Sequence, residues 1–250
     1  MGEDRVSLTR VGRLRLWLAR AEKEWGYAWY HGEEAGLMDM AQVPEDVVPD
    51  ELEWHRAFYE SAPRDYVFES ALPSQPILVR SSAPCVLPAG ESVEFTLMVP
   101  ACLRVTLMAG NRKHKLVSCP SERVEQAWFG TPVKGRLCQL ITIPPANGTD
   151  LSSARPNQIV VPVRILNRSK KAINLDRIAL DLGPAGLFSG ALHLWSSPVG
   201  LTINESARSV TTTFENQIPK QETELMELKA SDGNSSVFDL SEVICSCQPT

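Results

Sequence analysis

Residues 92–107 read Ser-Val-Glu-Phe-Thr-Leu-Met-Val-Pro-Ala-Cys-Leu-Arg-Val-Thr-Leu. In the first half Val93, Phe95, Leu97 and Val99 alternate with Ser92, Glu94, Thr96 and Met98, a period of two that puts the apolar set on one face of a strand. Pro100 interrupts the ladder. Leu103, Val105 and Leu107 then resume the alternation against Arg104 and Thr106 and stop at Gly110-Asn111. The unit is strand, loop, strand, with one partly wet face.

The same style extends in both directions. Pro76 to Ser82 is a short apolar run, followed by the turn Leu87-Pro88-Ala89-Gly90. Gly130-Thr131-Pro132 precedes a run from Val133 to Ile143, and Ile159 to Leu166 is a β-branched stretch closed by Asn167-Arg168-Ser169. Ala172 to Leu182 alternates imperfectly, and Leu187 to Ser196 and Val199 to Ile203 are further strand candidates. No helical pattern of 10 to 15 residues separates these runs, which argues against parallel α/β units. The expected fold is mainly β: an antiparallel β-sandwich, immunoglobulin-like or jelly-roll-like. Val160 to Leu175 reads as an immunoglobulin-like hairpin, and the clusters 77–107 and 159–180 as related halves.

The flanks differ in character. In residues 1–70, Arg5 to Trp17 alternates in places, Tyr27 to Tyr30 reads as a strand ending in a turn at Gly32, and Glu51 to Tyr59 as one or two helical turns capped by Pro49-Asp50. This segment holds Trp17, Trp25, Trp29 and Trp54, four of the six tryptophans. Such density implies adhesion, either to the central sandwich or, through Trp25, Trp29 and Tyr30, to a ligand or partner. Residues 71–215 form the expected sandwich core. Residues 216–250 form a partly flexible extension with a short element at Glu224 to Leu228, a last strand from Val237 to Ile244 and a loose Cys-Gln-Pro-Thr end.

A chain of 250 residues has length enough for a core without disulfide or metal staples, and 22% charged with 43% hydrophobic residues excludes a wholly disordered, collagenous or coiled-coil protein. The net charge of -5 is uneven along the chain. Residues 1–70 carry 15 acids and 8 bases, residues 71–215 carry 9 and 15, and residues 216–250 carry 6 and 2. Attraction of the acidic first segment to the basic centre needs no external polyanion. With no apolar run of roughly 18 residues, membrane insertion is not expected, and the expected location is cytoplasmic. The cysteines at 85, 102, 119, 138, 245 and 247 are too sparse for a disulfide scaffold and are expected to be free. The Asn-x-Ser/Thr triplets at Asn147, Asn167, Asn204 and Asn234 read as turn composition.

Chemistry-bearing patterns are weak. His31, His55, His114 and His193 lack metal-ligand spacing, and Glu51 and His55, four apart on the expected helix, read as a surface pair. Cys245-x-Cys247 would need two further zinc ligands, with Cys119, Cys138 and His114 as isolated candidates, so neither metal nor cofactor is expected. Phosphate loops, dinucleotide fingerprints and the hydrolase elbow are absent from the sequence. Two basic clusters, Arg112-Lys113-His114-Lys115 and Arg168 with Lys170-Lys171, read as strand-end loops able to meet an acidic partner. Without interleaved aromatics, nucleic-acid binding by Arg112, Lys113, Lys115, Arg168, Lys170 and Lys171 is not favoured.

Ala127-Trp128-Phe129-Gly130-Thr131-Pro132, Gly135-Arg136-Leu137-Cys138, Val161-Pro162-Val163-Arg164-Ile165-Leu166-Asn167-Arg168-Ser169 and Leu87-Pro88-Ala89-Gly90 together resemble an uncharacterised family of prokaryotic proteins known as a domain of unknown function. The resemblance spans roughly residues 70 to 200 and leaves the tryptophan-rich first segment unplaced. It implies a common fold and carries no activity or catalytic residue. Physically, Trp128 and Phe129 are expected to anchor the return strand to the core, with Gly130 supplying positive φ or a close approach. The expected function is a non-enzymatic protein-interaction or accessory module, with a protein partner or self-association. The alternative is a small-molecule site formed by Trp128, Phe129 and Arg136, or by Trp25, Trp29 and Tyr30.

Overall fold

The computed structural model describes residues 5–44, 48–83, 85–143, 151, 154–155, 157–215, 225–231, 236–239 and 243–245. Among them the strands are β1 (Arg5–Arg20), β2 (Glu24–Pro44), β3 (His55–Phe58), β4 (Asp65–Ala71), β5 (Ile77–Ser81), β6 (Val86–Leu87), β7 (Ser92–Pro100), β8 (Cys102–Ala109), β9 (Arg112–Pro120), β10 (Glu125–Phe129) and β11 (Arg136–Ile143). They continue with β12 (Gln158–Asn167), β13 (Ile173–Asn174), β14 (Arg177–Leu180), β15 (Leu187–Ser189), β16 (Leu194–Ser196), β17 (Val199–Ile203), β18 (Ser209–Phe214), β19 (Met226–Lys229), β20 (Ser236–Asp239) and β21 (Ile244–Cys245). The protein is mainly β and has several sheets. No helix among the described residues is long and apolar enough to cross a membrane.

The chain divides into two compact units: Met1–Ala71 with Pro100–Arg123, and Leu72–Val99 with Val124–Thr250. Counted by unit, the acids and bases are 16 and 13 in the first and 14 and 12 in the second. The charge contrast along the chain is therefore a property of sequence order and disappears in the folded units.

In the first unit one sheet has the order β1-β2-β3 and the other the order β4-β8-β9, all pairs antiparallel. Alternation along β1 sends Leu14, Leu16 and Leu18 into a core with Trp25, Leu103, Val105, Leu107, Val117 and Cys119. Trp17 points to the opposite face and packs with Val6, Leu8 and Val48. Val6 and Leu8 share a face with odd-numbered Trp17, so the parity of β1 must change between them. It changes where the ladder is irregular: four steps of β1, Leu14 back to Arg10, oppose eight of β2, His31 to Asp39. The Arg15 guanidinium spans this stretch, donating to the carbonyls of Gly12 (3.1 Å), Leu14 (3.1 Å) and Glu34 (2.8 Å).

Two expectations for this unit are corrected. Gly32 does not end a strand, because β2 runs through it to Pro44. The Arg15 guanidinium lies alongside Gly32, 3.6 Å from where a Cβ would stand, so the glycine accommodates the clamp. Residues 51–59 do not form a helix. Leu52 N–H closes a turn on the Pro49 carbonyl (3.2 Å), and His55–Phe58 then pairs with β2, placing the His55 ring on Tyr27 at 5.1 Å. Cross-strand pairing outweighs the helix signals, and the Glu51/His55 helical spacing has no structural counterpart.

The second unit holds a five-stranded sheet, β10-β11-β5-β14-β21, and an eight-stranded sheet, β19-β15-β16-β12-β17-β18-β20, with β7 also on β12. A small pair joins β6 and β13. The antiparallel expectation holds only in part: β11 runs parallel to β5, and β16 and β17 run parallel to successive parts of β12. Parallel pairing ordinarily needs long crossovers, most often helical. Here the crossovers are built of strands, some in other sheets and some (β10, β15) in the same sheet, a solution invisible to a search for helical periodicity.

Consequently Val160 to Leu175 is not a hairpin, since β12 and β13 lie in different sheets. Leu187 to Ser196 is likewise two strands, β15 and β16, folded on each other. The turn after β12 is locked instead by Asn167, which is fully buried. Its amide donates to the carbonyls of Leu87 (3.1 Å), Pro88 (3.0 Å) and Lys171 (2.8 Å), and its oxygen accepts from the Ser169 N–H (3.0 Å) and hydroxyl (2.7 Å). Asn204 organises the β17–β18 turn in a related way, its oxygen accepting from Ser206 Oγ and from the N–H groups of Arg208 and Ser209. Both triplets are turn devices, while Asn147 and Asn234 lie outside the described residues.

The β17–β18 turn holds Ala207 at φ +53°, a left-handed conformation unfavourable for a side chain. Ala207→Gly is expected to raise stability by about 0.5–1 kcal/mol, read as an increased urea midpoint with unchanged slope.

Candidate functional site

The β10–β11 hairpin presents the most distinctive surface. Its register opposes Trp128 to Leu137 and Phe129 to Arg136, so the two consecutive aromatic residues face opposite sides of the sheet. Phe129 is buried with Leu78, Cys138 and Ala179, as an anchor should be. Trp128 does not anchor the core: it is 51% exposed, beside Leu137 at 41% and above a turn that carries Val133 at 92%. Its indole N–H donates to the Thr131 carbonyl (3.2 Å), and the ring lies directly over Gly135, where a Cβ would collide with it. Gly130, at φ +106°, brings its own Cα so near Gly135 that a Cβ there would stand 2.8 Å from the Gly135 Cα. The two glycines thus let the turn close beneath an exposed tryptophan, and Trp128, Phe129 and Arg136 do not converge on one concave site.

The first unit's aromatic residues are also divided between faces. Trp25 is buried and donates from its indole N–H to the Pro63 carbonyl (2.8 Å), which Arg20 Nε also reaches (3.1 Å). Trp29 stands edge-on to His31, whose Nε2 is 2.9 Å from the Pro120 carbonyl, while Tyr30 stacks on Trp17 at 5.3 Å. Trp25 is a core residue. Trp29 and Tyr30 are partly exposed on opposite faces of β2.

The basic residues fall into both units. Arg112, Lys113 and Lys115 are exposed, but they open strand β9 rather than lie in a loop, because the chain already turns at Gly110, φ +59°. Arg168, Lys170 and Lys171 project from the turn that Asn167 and Ser169 hold rigid, and all three are exposed. Sequence reading missed Arg104 as a charged group of interest: its Nε is buried without a hydrogen-bond partner among the described residues. Its place on the wet side of the alternating stretch 103–107 was the available signal.

Cys85, Cys102, Cys119 and Cys138 are free thiols. Cys102, Cys119 and Cys138 are buried, and Cys85 is only partly so. Burial pushes Cys102 up to about 11, against the opposing pull of Ser118, Arg104 and Lys115, and pushes Cys119 up to about 12. Cys247 lies outside the described residues, and among those described no cluster of three metal-ligating side chains occurs. Mass-spectrometric mapping of iodoacetamide adducts at pH 8 should show Cys85 modified well before Cys102 and Cys119, whose thiolate fraction is about one part in a thousand or less. Because the folded thiols titrate above the unfolded ones, their contribution to stability is present at neutral pH and is lost as pH rises from about 9 towards 11–12. A pH titration of the urea midpoint should fall over that interval.

No curated protein and no solved structure matches the chain. One family model does, and it covers residues 2–241. The first 70 residues, which the sequence resemblance left unplaced, lie inside the family pattern, in keeping with a unit that joins them to residues 100–123. The chain belongs to the family described as Protein of unknown function (DUF432).

Proposed function

We propose that the protein is a non-enzymatic interaction module that binds a protein partner through the exposed side of the β10–β11 hairpin. The observation that carries this reading is Trp128, half exposed yet fixed by Thr131 and Gly135, with Leu137 and Val133 beside it. Exposed tryptophans in rigid settings dominate binding hot spots, because their large area comes with little entropy left to lose. Among the described residues β10 also ends its sheet, an edge to which a strand from a partner can be added. A small-molecule site has less support, since Trp128 and Phe129 diverge and Arg136 pairs across from Phe129. Behind the hairpin, the five- and eight-stranded sheets fit a sandwich of the immunoglobulin-like or jelly-roll-like kind, modified by parallel pairings. The free thiols favour a reducing compartment such as the cytoplasm.

The test places a photo-crosslinking amino acid at Val133 in the full chain, expressed in its native host, with the same probe at exposed Arg208 as reference. A discrete adduct from position 133, absent from 208 and weakened about 10-fold or more by Trp128→Ser, is expected. Equal adducts from both positions, or an adduct indifferent to Trp128→Ser, would overturn the reading. Mass spectrometry of the adduct separates a second copy of this chain from a different protein.

Nucleic acid is not the proposed partner, because each unit carries a small net negative charge and the basic residues have no aromatic platform among them. Labelled single- and double-stranded DNA and RNA should show no micromolar binding near 0.15 M salt. Salt-sensitive binding lost on charge reversal of Lys113, Lys115, Lys170 and Lys171 would contradict this.

A further inference from the structure

Sheet edges carry unpaired backbone groups, and long ones ordinarily hold a device that keeps other strands away: charges, a proline or a bulge. Other long edges of this protein have such devices. β9 brings exposed Arg112, Lys113 and Lys115 to the edge of its sheet, and β1 carries Arg5, Arg10, Arg13, Arg15 and Arg20 on an irregular ladder. β10 lacks them. It reads Glu125-Gln126-Ala127-Trp128-Phe129, pairs with β11 without a register shift, contains no proline or basic residue and has its one charge at its first position. Among the described residues it ends the five-stranded sheet, and Gln126 and Trp128, on one of its faces, are both exposed.

The strand is also complementary to itself. Two antiparallel copies related by a two-fold axis overlap over all five residues when Ala127, the midpoint, meets its own mate. Directly opposite residues share a face, so Glu125 then meets Phe129 of the second copy and Gln126 meets Trp128 of the second copy. Like charges are not set opposite each other, and the residue that meets itself has a small side chain. The two indoles become diagonal neighbours on one face, each beside its own Leu137.

We propose that the chain associates with a second copy of itself through β10, the two five-stranded sheets becoming one continuous sheet across a two-fold axis at Ala127. The inference rests on the reading that the Trp128 surface binds a protein, and it names that protein as the same chain. The pairing occupies the outward backbone groups of β10 and takes two half-exposed indoles out of water. Five paired residues from each copy make a small interface, so the dimer is reversible.

Sedimentation equilibrium of the full chain from about 1 to 200 μM tests this, with a monomer–dimer equilibrium in the micromolar range as the expected result. Trp128→Ser and, independently, Leu137→Ser should weaken the dimer about 10-fold or more, while Arg208→Ser leaves it unchanged. The register is read separately. In an Ala127→Cys variant, oxidation with copper phenanthroline should join two chains through a disulfide that peptide mapping places at position 127, because residues meeting at the axis are within disulfide reach. Arg208→Cys should give no corresponding bond. A chain that stays monomeric to about 200 μM, or a dimer that is indifferent to Trp128→Ser or lacks the disulfide at position 127, would overturn the proposal. A monomeric chain that still gives the Trp128-dependent adduct from position 133 with a different protein overturns self-pairing alone; a chain that gives neither overturns both readings.

Discussion

Asn167→Ala is expected to lower stability by at least about 3 kcal/mol, among the largest single-residue effects in the second unit. The side chain is inaccessible to water, and every polar atom it has is in use, towards Leu87, Pro88, Lys171 and Ser169. Its backbone adds two more ties, N–H to the Glu91 carbonyl (2.9 Å) and carbonyl to the Gly90 N–H (2.8 Å). Alanine keeps these backbone ties but strands several buried acceptors and an N–H, each costing about 1–3 kcal/mol when water cannot replace the partner. Asn167→Asp should be no milder, because a carboxylate cannot donate to the Leu87, Pro88 and Lys171 carbonyls. Chemical denaturation reads both variants, and a loss under about 1 kcal/mol for alanine would show that water enters the turn and does the same work.

Trp195→Ala is expected to cost about 3–5 kcal/mol, through lost burial and the cavity left behind. Trp195 is 1% exposed on β16 and packs with Val160, Phe188, Met98, Leu151 and Leu225. Its indole N–H has no hydrogen-bond partner among the described residues. The wild-type residue thus carries a desolvation cost that phenylalanine would remove along with part of the ring. Trp195→Phe should therefore lose less than about 1.5 kcal/mol, the smaller cavity being partly offset by the removed donor. A phenylalanine variant as unstable as the alanine variant would mean that the indole N–H has an acceptor after all.

Period-two alternation located many strands well. Ser92–Pro100, Cys102–Ala109 and Val199–Ile203 fall where Val93 to Val99, Leu103 to Leu107 and Val199 to Ile203 placed them. It could not assign partners, because alternation specifies a face and not a neighbour, and the parallel pairing of β12 with β16 and β17 depends on contacts distant in sequence. The strand at His55–Phe58 was hidden by local helix signals that its pairing with β2 outweighs. At the hairpin the Trp-Phe-Gly run marked the right place, but the assignment of Trp128 to the core failed. In a strand of known phase, consecutive large residues must part company, and the sequence does not say which of the two goes inside. The burial of Arg104 Nε without a partner was not legible either, because it rests on where Glu69, one strand away, directs its carboxylate.

The interrupted construction of the first unit bears on how the protein is made. Leu14, Leu16, Leu18 and Trp25 acquire their partners Leu103, Val105, Leu107, Val117 and Cys119 only when the ribosome has delivered the chain to about residue 120. Between the emergence of the two segments the polypeptide lays down residues 72–99, which belong to the other unit. At a synthesis rate of about 5–20 residues per second, a leucine- and tryptophan-rich face stays uncovered for about 5–20 seconds in every nascent molecule. Stalled or prematurely terminated chains that end before β8 would keep that face exposed, making them natural clients for chaperones and proteases and poor material for a truncated N-terminal fragment.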